Sequence, residues 1–287
     1  MENSKLKLYI LIGALIILSF LVISCEADWP MSSPKIIHIV DPQSLNLGVV
    51  ETFAVLGGDS GIINMGTSTV IAGDIGTTGS SIIIKGFHNT SFSYMETSHN
   101  LGKVNGEIYS AAPQGTAYTY GIAYSAVNTA AALFKQLELL PNGIDTGTSG
   151  QLGGLLLSGC VYKSATGDFR ITGLDLTLDG KGNTDSVWVF QMSHSLIVGD
   201  ATSPRHVILI NGAQAKNVYW QVGTDARINE SGGGVMSGTI IAGSEVRISS
   251  AGNEMITVLN GRALSLNAPV SMVNTVINPF ATIDSDK

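Results

Sequence analysis

Two short runs, Asp225-Ala226-Arg227-Ile228-Asn229 and Glu245-Val246-Arg247-Ile248-Ser249, hold two carboxylates and two arginines in matching places twenty residues apart. Paired carboxylates are what acid–base cleavage of a glycan requires, and acidic Ca²⁺ ligands beside a basic residue would serve a lyase. This is the single cluster of that kind in the chain. His38, His88, His99, His194 and His206 are scattered without metal-ligand spacing. Two cysteines are too few for a thiolate metal cluster or a disulfide scaffold. No nucleophile elbow or phosphate loop is present. The plainer reading of the Asp/Arg and Glu/Arg runs is pairing across neighbouring rungs of a solvated sheet, worth a few tenths of a kcal/mol per pair. The chain is therefore read as a non-enzyme with no cofactor and no metal.

Such residues need strands to hold them. Ser186–Met192, His206–Asn211, Asn217–Val222 and Gly238–Ala242 are short β-rich runs between Gly, Ser, Asn and Asp turns, a pattern of sandwiches, barrels or solenoids. One segment departs from it. From about 118 to 140, Ala123, Ala126, Val127, Ala130, Ala131, Leu133, Phe134 and Leu137 recur at helical spacing, and Pro141-Asn142-Gly143 ends the run. That predicts one long helix docked along a sheet. The echo at 225 and 245 recurs at Ser195-Leu196-Ile197-Val198 and Pro269-Val270-Ser271-Met272, and a second joins Thr69–Gly73 to Thr239–Gly243. A period near twenty suits a solenoid turn of three strands and three corners, with a sandwich left open. Strand alternation then puts Ala226, Val246 and Val270 in one inward column and Ile228, Ile248 and Met272 in the next. Outward stand Ile197, Arg227, Arg247 and Ser271, with Ser195, Asp225, Glu245 and Pro269 beside them, and a third column that includes Asn229 and Ser249.

Composition narrows the functions. Charged residues make up 13% of the 287, about half the usual share, and the net charge of −7 gives no grip on nucleic acid. A hydrophobic content of 44% excludes disorder over most of the chain. Lys5 and Lys7 precede an apolar run from Tyr9 to Ile23. As a helix that run would rise only about 22 Å, short of the roughly 30 Å hydrocarbon core, which favours a signal peptide over a membrane span. It ends in Leu21-Val22-Ile23-Ser24-Cys25, which resembles a bacterial lipobox. The expectation is a signal peptide over 1–24, lipidation of Cys25, a tether over 25–44 and one domain over 45–283. The product is an exported monomer, anchored by its lipid to the cell envelope and facing outward, or secreted. Cys160 would then be the one free thiol, buried and inert.

Several segments stand out together. They are Leu47-Gly48 through Phe53-Ala54-Val55-Leu56-Gly57, Ala72-Gly73-Asp74-Ile75-Gly76, and Leu152-Gly153-Gly154 with Val161-Tyr162. Leu176-Thr177-Leu178-Asp179-Gly180 and Val187–Met192 follow, then Val207–Ala215, Asn217–Gly223, Gly238-Thr239-Ile240 and Asn260-Gly261-Arg262-Ala263-Leu264. From about 45 to 280 these segments resemble, in order, those of the DUF3494-type ice-binding proteins. The resemblance implies a mainly β fold, a discontinuous right-handed β-solenoid of triangular section with one long α-helix packed alongside. The implied function is adsorption to ice, limiting crystal growth or holding a cell at an ice surface. The alternative on the same scaffold is a cell-surface adhesin or glycan-binding solenoid. Family members with strong activity tend to carry Thr-(Ala/Gly)-X-(Thr/Asn) on the binding face, and this chain has it only at Thr116-Ala117-Tyr118-Thr119. The candidate binding face here is Ser195, Ile197, Asp225, Arg227, Asn229, Glu245, Arg247, Ser249 and Ser271. Thr67, Thr69 and Thr239 mark an alternative face.

Overall fold

In a computed structural model, which describes residues 22–23 and 45–282, the short runs coil into a β-solenoid whose regular turns contribute three strands each. One turn is Leu176–Asp179, Trp188–Met192 and Leu196–Val198, and the next is Val207–Ile210, Val218–Val222 and Ala226–Ile228. Equivalent strands of successive turns pair in parallel, so three sheets form the three faces of the stack. Two longer strands, Val235–Ala242 and Thr257–Ser265, run round a corner from one face to the next. The bend falls at Gly238 and Gly261, which pair with each other. Gly238 sits at φ 113°, and a Cβ there would press on the Val218 carbonyl oxygen at 2.7 Å. Only glycine fits such a corner.

The stack is discontinuous. Val270–Met272, near the C-terminal end, pairs with Ile62–Asn64, and Thr275–Ile277 pairs with Thr69–Ile71. The first turns of the chain thus sit on top of the last ones. To reach the bottom, the chain must return along the whole stack, and the helix Ala117–Glu138 makes the journey. One sheet counts eight rungs, Val161–Lys163, Trp188–Met192, Val218–Val222, Val235–Ala242, Thr257–Ser265, Phe53–Gly57, Asp74–Ser80 and Ile108–Ala111. Seven gaps of about 4.8 Å make about 34 Å, and the helix's 22 residues rise about 33 Å. Its length is matched to the stack.

The predicted apolar stripe docks as expected. Ala126, Ala130, Leu133, Phe134 and Leu137 bury against Leu56, Val161, Val189, Tyr219, Ile241 and Leu264 on that sheet. Gln191, itself buried, donates through Nε2 to the carbonyls of Leu137 at 2.6 Å and Leu140 at 2.9 Å, satisfying acceptors the helix end leaves free. Inside the stack, Tyr162, Phe190 and Trp220 lie on successive rungs as a stacked column, with Phe190 and Trp220 centroids 4.1 Å apart. Phe87–His88 pairs in antiparallel fashion with Ser93–Tyr94 at the open edge, capping a parallel sheet that would otherwise expose its ladder.

Three expectations meet the structure here. Thr116-Ala117-Tyr118-Thr119 proves to be a helix start: Thr116 and Thr119 cap each other's backbone in a capping box. Cys160 is disulfide-bonded and half-buried, not a free buried thiol. Val22–Ile23 pairs with Leu156–Leu157 at the edge of a four-stranded sheet. Cys25, the chain's one other cysteine, lies outside the described residues, as do the remainder of the expected signal peptide, the expected tether to residue 44, and Ile283.

Candidate functional site

Of the three faces, the helix covers one, and the described residues leave the other two open. The first open face is the seven-stranded sheet that carries the twenty-residue echo. Its register places Ala226, Val246 and Val270 in one fully buried column and Ile228, Ile248 and Met272 in another. Arg170, Ile197, Arg227, Arg247, Ile63 and Lys85 align between those columns on the outer surface, while Ser271, expected among them, holds the same register but is buried at 7% exposure. The inward and outward assignment of the strands agrees with the sequence reading.

The pairing pattern differs from expectation. Most arginines and carboxylates pair within a rung: Arg227 Nε to Asp225 Oδ2 at 2.9 Å, Arg247 Nη2 to Glu245 Oε2 at 2.9 Å, and Arg170 to Asp168 at 3.3 Å. Residues two apart on a strand share a face, and the long arginine side chain folds back to its neighbour. Across rungs the links are hydroxyls and one ion pair. Ser195 Oγ donates to Asp225 Oδ1 at 2.7 Å and Ser271 Oγ to Glu245 Oε1 at 3.2 Å. Arg247 also reaches Glu230 at 3.2 Å. Burial raises the Asp225 pKa, but bonds from Ser195, Thr224 and Arg227 outweigh it and hold the carboxyl below its ordinary range. A carboxylate so tied is a poor general acid near neutral pH.

Asn229 and Ser249 do not belong to this surface. Both are fully buried, at φ 47° and 60°, where the chain leaves the strand and turns the corner. The left-handed backbone swings their side chains inward. Asn229 clamps the next loop, accepting from Arg205 N at 2.9 Å and donating to Arg205 O at 3.0 Å. The alternative face fares similarly. Thr69 is buried and bonds Asn64 at 2.8 Å, and Thr239 is buried against Arg262 on another face. Thr67 is exposed, with its backbone N–H donating to Asn274.

The second open face contains a pattern that the sequence reading missed. Thr257-Val258-Leu259-Asn260, Thr275-Val276-Ile277-Asn278 and Thr69-Val70-Ile71-Ala72 are the same four-residue unit on three adjacent rungs. In each, the Thr and the Leu or Ile point into the core. Val258, Val276 and Val70 stand outward in line, half-exposed, with Val235 and Lys103 at the two ends of the row. Asn260, Asn278 and Ala72 make a second half-exposed row two residues further on. The signal was the threefold return of Thr-Val-(Leu/Ile)-(Asn/Ala). It was hidden because the repeats are split between the two ends of the chain.

Among the described residues no group of three or more His, Cys, Asp or Glu could hold a metal ion. Among them no helix is long and apolar enough to cross a membrane.

The sequence profile of the Ice-binding-like family matches residues 56–278. The ice-binding protein of Nostoc sp. (strain HG1) is 32% identical over 243 residues, which is 84% of this chain and 77% of that one. Ice-binding protein 1 of Shewanella frigidimarina is 34% identical over 152 residues, 53% of this chain but only 15% of that longer protein. Among solved structures, an ice-binding protein from an Arctic yeast superposes with a TM-score of 0.67 at 27% identity, covering 83% of this chain and 95% of that one.

Proposed function

The chain belongs to the ice-binding-like family, and from that premise we propose that it adsorbs to ice through a flat face of its solenoid and restrains crystal growth without catalysing a reaction. The observation that carries this is the pairing of family membership with an architecture of rigid, parallel rungs at the regular spacing of a β-sheet. A periodic rigid surface can hold an ordered water layer, since the side chains on it have already lost their freedom on folding. The glycan-binding alternative gains nothing from the charged face, whose arginines and carboxylates are spent on one another.

The test is ice recrystallisation and single-crystal growth in the presence of the purified protein at micromolar concentration. Faceted crystals and arrested coarsening are expected. Round crystals that coarsen as in buffer refute the reading.

Export is the second part of the proposal. A disulfide at Cys160 suits an oxidising compartment, and the basic residues and apolar run at the N-terminus suit a secretory signal. Lipid anchoring would use the sulfur of Cys25, and a sulfur in a thioether to lipid cannot also enter a disulfide. The anchored form thus excludes a Cys25–Cys160 bond.

A further inference from the structure

We propose that the ice-contacting surface is the row of Val70, Val276 and Val258 with its companion row of Ala72, Asn278 and Asn260, and not the echo-bearing charged sheet. This rests on the reading that the protein binds ice and assigns the site within it.

The argument is one of hydration. A charge orients water around itself, and removing that shell costs several kcal/mol unless a partner replaces it. Ice offers no counter-charge. On the echo-bearing sheet, Arg170, Arg227, Arg247 and Lys85 stand in the central row with Asp168, Asp225 and Glu245 beside them, so any lattice laid on it would strip charged groups. On the valine face the rungs Val258–Asn260, Val276–Asn278 and Val70–Ala72 present no ionisable side chain. The nearest is Lys103, on the rung beyond Val70. Valine has the shape of threonine with a methyl in place of the hydroxyl. A row of valines beside asparagines therefore offers methyl groups that water can cage and amides that can join the cage.

Geometry supports the same surface. The three rungs pair without a bulge, and beneath them Thr257, Leu259, Thr275, Ile277, Thr69 and Ile71 are all buried, so the outward row rests on a packed layer. A second protein copy is a poorer occupant. The three rungs of four residues measure about 14 by 13 Å from rung and strand spacings, about 200 Å², below the roughly 800 Å² per partner of a stable interface.

The test uses the full chain and four variants, each checked by circular dichroism. Val276→Lys puts a charge at the centre of the valine row. Its freezing-point hysteresis should fall by about tenfold or more, the least that an unpaired, desolvated charge costs. Val276→Tyr adds bulk without charge and carries the same expectation should the lysine variant not fold. The triple variant Val70→Thr, Val258→Thr, Val276→Thr should keep or raise activity. Arg227→Tyr, on the other face, should leave it unchanged. If Arg227→Tyr abolishes hysteresis while Val276→Lys and Val276→Tyr retain it, the charged sheet is the site and the inference falls alone. A wild-type protein without hysteresis or crystal faceting removes both the function and the site. A dimer in light scattering that Val276→Lys dissociates, with ice activity intact, makes the face a protein interface and overturns the assignment.

Discussion

Replacing Val246 with Asp tests the register on which the assignment of both open faces depends. Val246 is fully buried between Ala226 and Val270 on neighbouring rungs. Removing its isopropyl group from the core forfeits about 2 kcal/mol of burial. A carboxyl in that column has no cation to meet. Holding it protonated at neutral pH, about three units above its ordinary pKa, costs about 4 kcal/mol, and leaving the acid group unbonded costs about 1–3 more. The sum is about 7–9 kcal/mol, within the 5–15 kcal/mol that a domain has in total. Val246→Asp should therefore unfold the domain or leave it marginal.

The adjacent substitution is the control. Arg247 is 39% exposed and its pairs with Glu245 and Glu230 are solvent-screened, so Arg247→Thr should cost under about 1 kcal/mol. Urea unfolding followed by tryptophan fluorescence reads both, because Trp188 and Trp220 are fully buried. An unchanged slope with a small shift in midpoint identifies Arg247→Thr as a surface change. If instead Arg247→Thr is the damaging substitution and Val246→Asp is tolerated, every side chain on that sheet faces the opposite way and the register argument is wrong.

Other expectations follow from particular contacts. Thr116→Ala removes one half of the capping box and should lower stability by about 1 kcal/mol, while Thr116→Ser should not; a neutral alanine variant would mean the helix start is held by packing alone. Asp225 titrates below its unfolded value, so its contribution is full above the ordinary carboxylate pKa of about 4 and is lost as pH falls through the lower folded value. Asp225→Asn should thus flatten the acid limb of the stability curve, and an identical limb in both proteins would contradict the contacts with Ser195 and Arg227. Ice activity, resting on rungs without ionisable groups, should stay flat from about pH 5 to 9 wherever the fold is intact; a sigmoid in that range would point to a titrating site. Intact mass of protein from a bacterial host distinguishes the fates of Cys25: a diacylglycerol adduct with a reducible mixed disulfide or no disulfide means anchoring, and a non-acylated chain that gains two hydrogen atoms on reduction means an internal bond.

What was legible in the sequence follows from what alternation controls. Within a three-residue strand, neighbours face opposite sides, so Ala226, Arg227 and Ile228 could be assigned from the echo alone, and the structure agrees. Alternation ends where the strand ends. Extending it one more step put Asn229 and Ser249 outside, but their positive φ turns them inward. Thr69 and Thr239 were picked for their chemical type and lie buried, while the outward member of the Thr69 echo is Val70. Valine was passed over because an apolar residue in a β run reads as core. Only the pairing of Thr275–Ile277 with Thr69–Ile71, some two hundred residues apart in the chain, shows three valines to be one row. That pairing is a consequence of discontinuous closure, which no local pattern encodes.

The distribution of charge over the three faces bears on how such a protein can stop a crystal. A molecule adsorbed to ice arrests growth only if ice does not close over it. One face must therefore favour the lattice and the others must resist it. Here the helix covers one side with a surface of mixed polarity, whose Lys135 and Glu138 pair at 2.7 Å in solvent. The echo-bearing sheet carries ion pairs on three of its rungs, holding a hydration shell that is costly to strip. The valine and asparagine rows are neutral over three successive rungs. On this view the Arg–Asp and Arg–Glu pairs, which first suggested chemistry, serve by keeping water liquid-like on a side that ice must not reach. Their energetic value to the fold is small, so their removal should show in crystal engulfment and growth rate before it shows in stability.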